Sequence, residues 1–256
     1  MMKNLLNAIW KNDTEAVEML LSENPQNVAA IDENGRTMLS WAAQQGNLDI
    51  VKILLKNGAE ITSCDLKSKE SPLHNAIIED NIETAIYLID NGADLRVYDI
   101  DGRTPLHVLA NKKALGLWEN GCDLIVNKIL EHGVKFDRVS IAAALGTLQD
   151  VKMLVDSGYD VDDFLEFSHR TALQISTFTN NKQMLKYILS KSTYINWVDY
   201  EHNTAIDIAK DDETISLLRN AGAESNDETM DLIHRAQQDV RAFQYLYSLI
   251  NKNKKP

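Results

Sequence analysis

Cysteine is scarce in this chain: Cys64 and Cys122 stand alone, with no CxxC or zinc-type spacing around either. Two isolated thiols read as ordinary reduced side chains, which argues against a disulfide framework and for a reducing compartment. Long apolar runs are absent too, since no stretch approaches the ~20 residues that span a bilayer. The opening MMKNLLNAIWKND is too polar for a secretory signal. The expected location is therefore the cytoplasm, or the exterior by a route that needs no N-terminal signal. Basic charge is in short supply: Lys and Arg number 26 against 38 Asp and Glu, a formal net charge of -12. Such a chain repels phosphate backbones, which argues against nucleic acid and for a protein partner with a basic surface. No Gly-rich phosphate loop, HExxH helix or EF-hand pattern occurs. The sequence predicts no catalytic residue, no metal and no cofactor, hence a protein that is not an enzyme.

What the sequence does contain is a repeat. Gly102-Arg103-Thr104-Pro105-Leu106-His107 has imperfect copies at Gly35-Arg36-Thr37-Met38-Leu39 and Ser71-Pro72-Leu73-His74. Weaker copies are Arg170-Thr171-Ala172-Leu173 and Asn203-Thr204-Ala205-Ile206. Thr37 to Ser71 is 34 residues, Ser71 to Thr104 is 33, and Thr171 to Thr204 is 33. A fixed period of this length predicts stacked units that share apolar flanks, with an open surface rather than a deep cleft.

The copy from Asp32 to Ile61 shows the physics of one unit. Asp32 to Gly35 suit a turn, and Thr37 stands where a helix N-cap belongs. Leu39, Ala42 and Ala43 give a short helix of small residues, ended by Gly46. Ile50, Val51, Ile53, Leu54 and Leu55 give the apolar side of a second helix, closed by Gly58. On the Thr104–His107 tetrad, the paired alanines and the endings Asn57-Gly58-Ala59-Glu60 and Asn91-Gly92-Ala93-Asp94, the chain resembles the ankyrin repeat family. The resemblance runs from about Leu5 to Ala223. It implies an all-α solenoid of about six to seven helix-turn-helix repeats with short β-turn fingers. It also implies that His74 and His107 tie one turn to the next by hydrogen bonds. The expected organisation is an array over residues 1–224, then an amphipathic helix and basic tail over residues 225–256. Leu232, Ile233, Ala236, Val240, Phe243, Tyr247 and Ile250 lie at helical spacing there, either to cap the stack or to bind a partner.

Residues 110–137 break the pattern. Gly121 to Gly133 matches Gly46 to Gly58, yet Ala110 lies 8 residues farther from Gly121 than Ala43 does from Gly46. One alignment inserts NKKALGLWEN between two helices; another makes residues 117–123 the end of a shortened pair. Gly133 is then followed almost at once by a helix near Arg138, so one finger should be short or absent. Where Gly35 and Gly102 form turns, other repeats have Lys69, His169 and His202. Histidine tolerates left-handed backbone, so the two histidines read as turn formers rather than metal ligands.

In ankyrin-like arrays the fingers and first helices line a concave face, and that face is the expected partner-binding surface. Its residues here are Arg36, Trp41, Gln44 and Gln45, then Glu70 and Ile78, then Tyr98, Ile100, Asp101 and Arg103. Trp118 in the irregular segment joins them, as do Phe167, Arg170, Phe178, Tyr200 and Glu201. Aromatic residues and arginine carry much of the energy of protein interfaces. The expected function is a monomeric, non-catalytic interaction module, acting as an adaptor, an effector or an inhibitor such as an immunity protein for a toxin enzyme. The rival from another class is a ligand-binding or enzymatic protein with its pocket in residues 110–137.

Overall fold

The computed structural model describes residues 2–227, so the expected helix over residues 231–250 lies outside the described residues. Thirteen α-helices and one short 3-10 turn make up the described chain, which divides into a unit over residues 1–137 and a second from residue 138.

The first unit holds four helix pairs. They are α1 (Met2–Trp10) with α2 (Thr14–Glu23), and α3 (Met38–Gln45) with α4 (Leu48–Lys56). Next come α5 (Pro72–Ile78) with α6 (Ile82–Asp90), and α7 (Pro105–Ala114) with α8 (Cys122–Glu131). First helices pack in the order α1, α3, α5, α7, and second helices in the order α2, α4, α6, α8. The second unit holds α9 (Val139–Leu145) with α10 (Leu148–Asp156), and α11 (Ala172–Phe178) with α12 (Lys182–Leu189). Its last pair keeps only α13 (Asp212–Asn220), with a turn at 205–208 in place of a first helix.

Most of the helices start where the N-cap side chain accepts a backbone amide. Thr37 Oγ1 accepts the amide of Ser40 at 2.9 Å, and Ser71 and Thr104 do the same for His74 and His107. Between repeats the core is apolar and closed. Ile50, Val51 and Leu54 of α4 and Ala85, Leu88 and Ile89 of α6 are buried. Each such leucine or isoleucine contributes about 1.5–3 kcal/mol by leaving water.

Neighbouring repeats also interlock through polar groups. The Asn81 amide donates to the carbonyls of Ala43 and Gln44, at 2.9 and 2.7 Å, at the end of α3. Lys112 Nζ reaches the Ile78 carbonyl at 2.9 Å, and Lys210 Nζ the Phe178 carbonyl at 2.7 Å. These donors satisfy the orphan acceptors of a helix C-terminus, and the lysines add favourable charge there.

The irregular segment resolves as an insertion between two helices. α7 continues through Asn111–Ala114, a loop runs to Gly121, and α8 follows as the second helix. The alignment in which residues 117–123 close a shortened pair is not the one that forms. The link from α8 to α9, residues 132–138, is about half the length of 57–71 and carries no finger. The N-cap Arg138 makes no side-chain cap for α9. Asp163 supplies it from the next loop, accepting the amides of Val139 and Ser140 at 2.8 Å each. Burial raises the pKa of Asp163, against the pull of those amides and of Arg138.

Candidate functional site

The fingers share one construction. Backbone bonds close each turn: Asp32 to Arg36, Asp65 to Glu70, Asp99 to Arg103, Leu165 to Arg170 and Asp199 to Asn203, at 2.9–3.0 Å. Positive φ falls at Gly35, Lys69, Gly102, His169 and His202, the positions marked as turn formers. The fingers holding Lys69 and His169 are one residue longer, which spacing alone did not reveal. In three of the fingers the carboxylate of the opening Asp grips the loop. Asp99 accepts the amides of Asp101 and Arg103 at 3.0 and 2.8 Å, and Asp199 those of Glu201 and Asn203 at the same two distances. Asp32 holds Asn34 and Arg36 in the same way. Burial works against the Asp32 anion, but those two amides, the Trp41 indole and Arg36 hold its pKa below the usual carboxylate value.

Successive fingers are joined tip to tip. Leu66 donates its amide to the Gly35 carbonyl at 2.9 Å, Ile100 to Ser68 at 2.8 Å and Tyr200 to Ser168 at 3.1 Å. One repeat back, a histidine does similar work: His74 Nε2 lies 3.0 Å from the Arg103 carbonyl. In the second unit Gln174 takes that position, accepting the Thr171 amide and donating to the Asn203 carbonyl at 2.7 Å.

The expected contact residues fall into two groups. Tyr98, Ile100, Asp101, Phe167, Tyr200 and Glu201 project from the tips, with Ile100 67% and Tyr200 73% exposed. Gln45 is exposed on α3, and Ile78 is half-buried at the end of α5. The arginines turn inward. Arg36 bonds Gln44 and Asn75, pairs with Asp65 at 3.2 Å and stacks on Trp41 at 4.3 Å. Trp41 donates its indole N–H to Asp32 at 3.1 Å, and Gln44 reaches on to Glu79 at 2.9 Å. Arg103 pairs with Asp99 and Asp101, and Arg170 with Asp199 and Glu201. Phe178 is flanked by Arg170 at 5.1 Å and Lys210 at 4.0 Å. Glu70 is half-buried, and burial raises its pKa. Trp118, half-buried, donates to Asp123 at 3.3 Å beneath Lys113.

Three apolar residues at the fingers escaped the sequence reading. Leu66 is an exposed tip, at the same place in its finger as Ile100. Phe164 stacks on Trp197 at 5.2 Å, and His169 stands edge-on between Phe164 and Tyr200. Among the described residues no group of His, Cys, Asp and Glu is placed to hold a metal ion. No described helix is long and apolar enough to cross a membrane.

A family model for ankyrin repeats in three copies matches residues 3–65 and 61–138, more than half of the chain. The chain is 24% identical over 248 residues to the chicken nuclear factor NF-kappa-B p105 subunit, covering 89% of this chain and 24% of that protein. It is 31% identical over 162 residues to the zebrafish putative palmitoyltransferase ZDHHC13, covering 60% of this chain and 24% of the relative. The chain thus spans a quarter or less of the length of these relatives. The human ASB11 ankyrin repeat domain superposes with a TM-score of 0.56 at 18% identity, covering 86% of this chain and 98% of that one. The Bcl-3 ankyrin repeat domain gives 0.52 at 20% identity, covering 84% and 97%.

Proposed function

The chain belongs to the ankyrin repeat family, and from that premise we propose that it is a non-catalytic module that binds a protein through its finger tips and inner helices. One observation carries this reading. The tips present exposed Leu66, Tyr98 and Ile100 in one unit and Phe167 and Tyr200 in the other, on backbones already bonded finger to finger. A surface ordered before contact loses little entropy on binding, so its apolar area converts more fully into affinity. Asp101 and Glu201 stand beside these side chains, and the whole chain carries a net charge of -12. A basic partner surface complements that charge and is steered to it over distance.

Affinity capture from the source lysate tests this, with the wild type set against Tyr98→Ser/Ile100→Ser and Phe167→Ser/Tyr200→Ser. A captured protein that is lost with either double variant supports the surface. One retained equally by both places the contact elsewhere. With that protein purified, Asp101→Lys and Glu201→Lys should each lower the association rate by a factor on the order of 3–10, and added salt should mimic them. An association rate that ignores salt removes the basic surface from the proposal.

A further inference from the structure

At the first repeat, α1 and the first finger enclose a groove of about 440 Å3. Leu6 and the two indoles of Trp10 and Trp41 give it apolar walls, with Asp32 and Glu33 on the finger side and Lys3 on the helix side. The indoles meet edge to face, 5.4 Å apart at 82°, so they form two walls at a right angle. Trp10 is 49% exposed, so its wall of the groove is open to an incoming side chain. Trp41 is fixed in place by its bond to Asp32.

We propose that this groove binds a basic side chain, arginine ahead of lysine, from an extended segment of the partner. The proposal rests on the reading of the chain as a protein-binding module and names a subsite for it. The chemistry is already used at this spot, where the chain's own Arg36 guanidinium lies 4.3 Å from the centre of Trp41. A planar guanidinium stacks on an indole face while its N–H groups reach a carboxylate, and it sheds water more readily than an ammonium. Glu33 is exposed at the finger tip and supplies that carboxylate. Among the residues that line the groove the carboxylates of Asp32 and Glu33 outnumber the one cation, Lys3, with Lys67 beside Asn34 at the rim, so an incoming cation is favoured over an anion within the groove itself.

The test follows the indole N–H resonances of the four tryptophans while end-capped Gly/Ser peptides are added. One peptide carries a single central arginine; its twin carries citrulline, the uncharged isostere. The arginine peptide should move the Trp10 and Trp41 signals and leave Trp118 and Trp197 in place. Citrulline should bind weaker by about tenfold. Trp10→Leu should abolish the shift at Trp41, and Glu33→Gln, an exposed change that spares the fold, should weaken binding about threefold. Equal binding of citrulline, equal movement of all four indoles, or no shift at all would overturn the proposal. Ile100→Ser should leave the peptide shifts unchanged. Loss of a captured partner in that variant with no arginine effect would leave the finger surface standing and the groove refuted.

Discussion

His74 Nε2 donates to the carbonyl oxygen of Arg103 at 3.0 Å, while its Nδ1 accepts the Ser71 amide at 3.2 Å. These two bonds require the neutral imidazole with its proton on Nε2, because a protonated Nδ1 would point at an amide hydrogen. Burial is the main force lowering the His74 pKa below its ordinary 6.5; Arg103 adds to it, while its carbonyl and Asp99 and Asp94 oppose it. A histidine with a depressed folded-state pKa contributes fully above pH 6.5 and loses that contribution as pH falls toward the folded value, since the unfolded chain takes the proton first. The urea midpoint should therefore drop on going from pH 7 to about pH 5.5. His74→Gln should flatten that slope, since Gln174 shows that glutamine fits the same position and bonds. A slope unchanged in the variant would assign the effect to another group.

Gly35 shows how closely two fingers approach. A Cβ built there would lie 2.5 Å from Leu66 Cβ, at a φ of +78°. Gly102 has nearly the same φ, +75°, with nothing near. Alanine at Gly102 should cost about 1 kcal/mol of backbone strain. Alanine at Gly35 should cost about 2–3 kcal/mol or more, because strain adds to a clash with a neighbouring side chain. Denaturant titration of the two variants reads the difference directly; equal losses would mean that the Gly35–Leu66 contact relaxes freely.

The repeat register was legible because its signals are local. Thr104 caps its own helix, Gly46 ends the helix before it, and the alanines fit wherever two helices approach. The inserted segment was legible too, as a change in spacing from Ala110 to Gly121. Other features depend on partners far along the chain. Arg36 and Arg170 find their carboxylates one repeat later, at Asp65 and Asp199, so nothing beside them told that they turn inward. Gln174 was missed as the counterpart of His74, because a shared role need not mean a shared residue type. Leu66 and Phe164 were missed although they stand where Ile100 and Ile31 stand in other fingers, because the flanking residues of the longer fingers do not align by spacing alone.

Among the described residues of the second unit, Arg170 and Asp199 make the most deeply buried ion pair, 2.9 Å apart with side chains 5% and 1% exposed. The two residues are not equally replaceable. Asp199 also accepts the amides of Glu201 and Asn203, so its loss frees a finger as well as removing the most buried partner of Arg170. Without Arg170, the Asp199 carboxylate keeps both amides and stays partly satisfied. Breaking a buried pair from one side costs up to about 3–5 kcal/mol, and less when the hydrogen bonds of the remaining group survive. Asp199→Ala, which loses the ion pair and both loop bonds together, should destabilise by about 3–5 kcal/mol and Arg170→Ala by about 2, with Arg170→Lys recovering little because an ammonium cannot span both Asp199 and Glu201. Denaturant midpoints of the three variants check the order. An Arg170→Ala loss equal to that of Asp199→Ala would show that the pairing itself, rather than the grip of Asp199 on the loop, holds this finger in place.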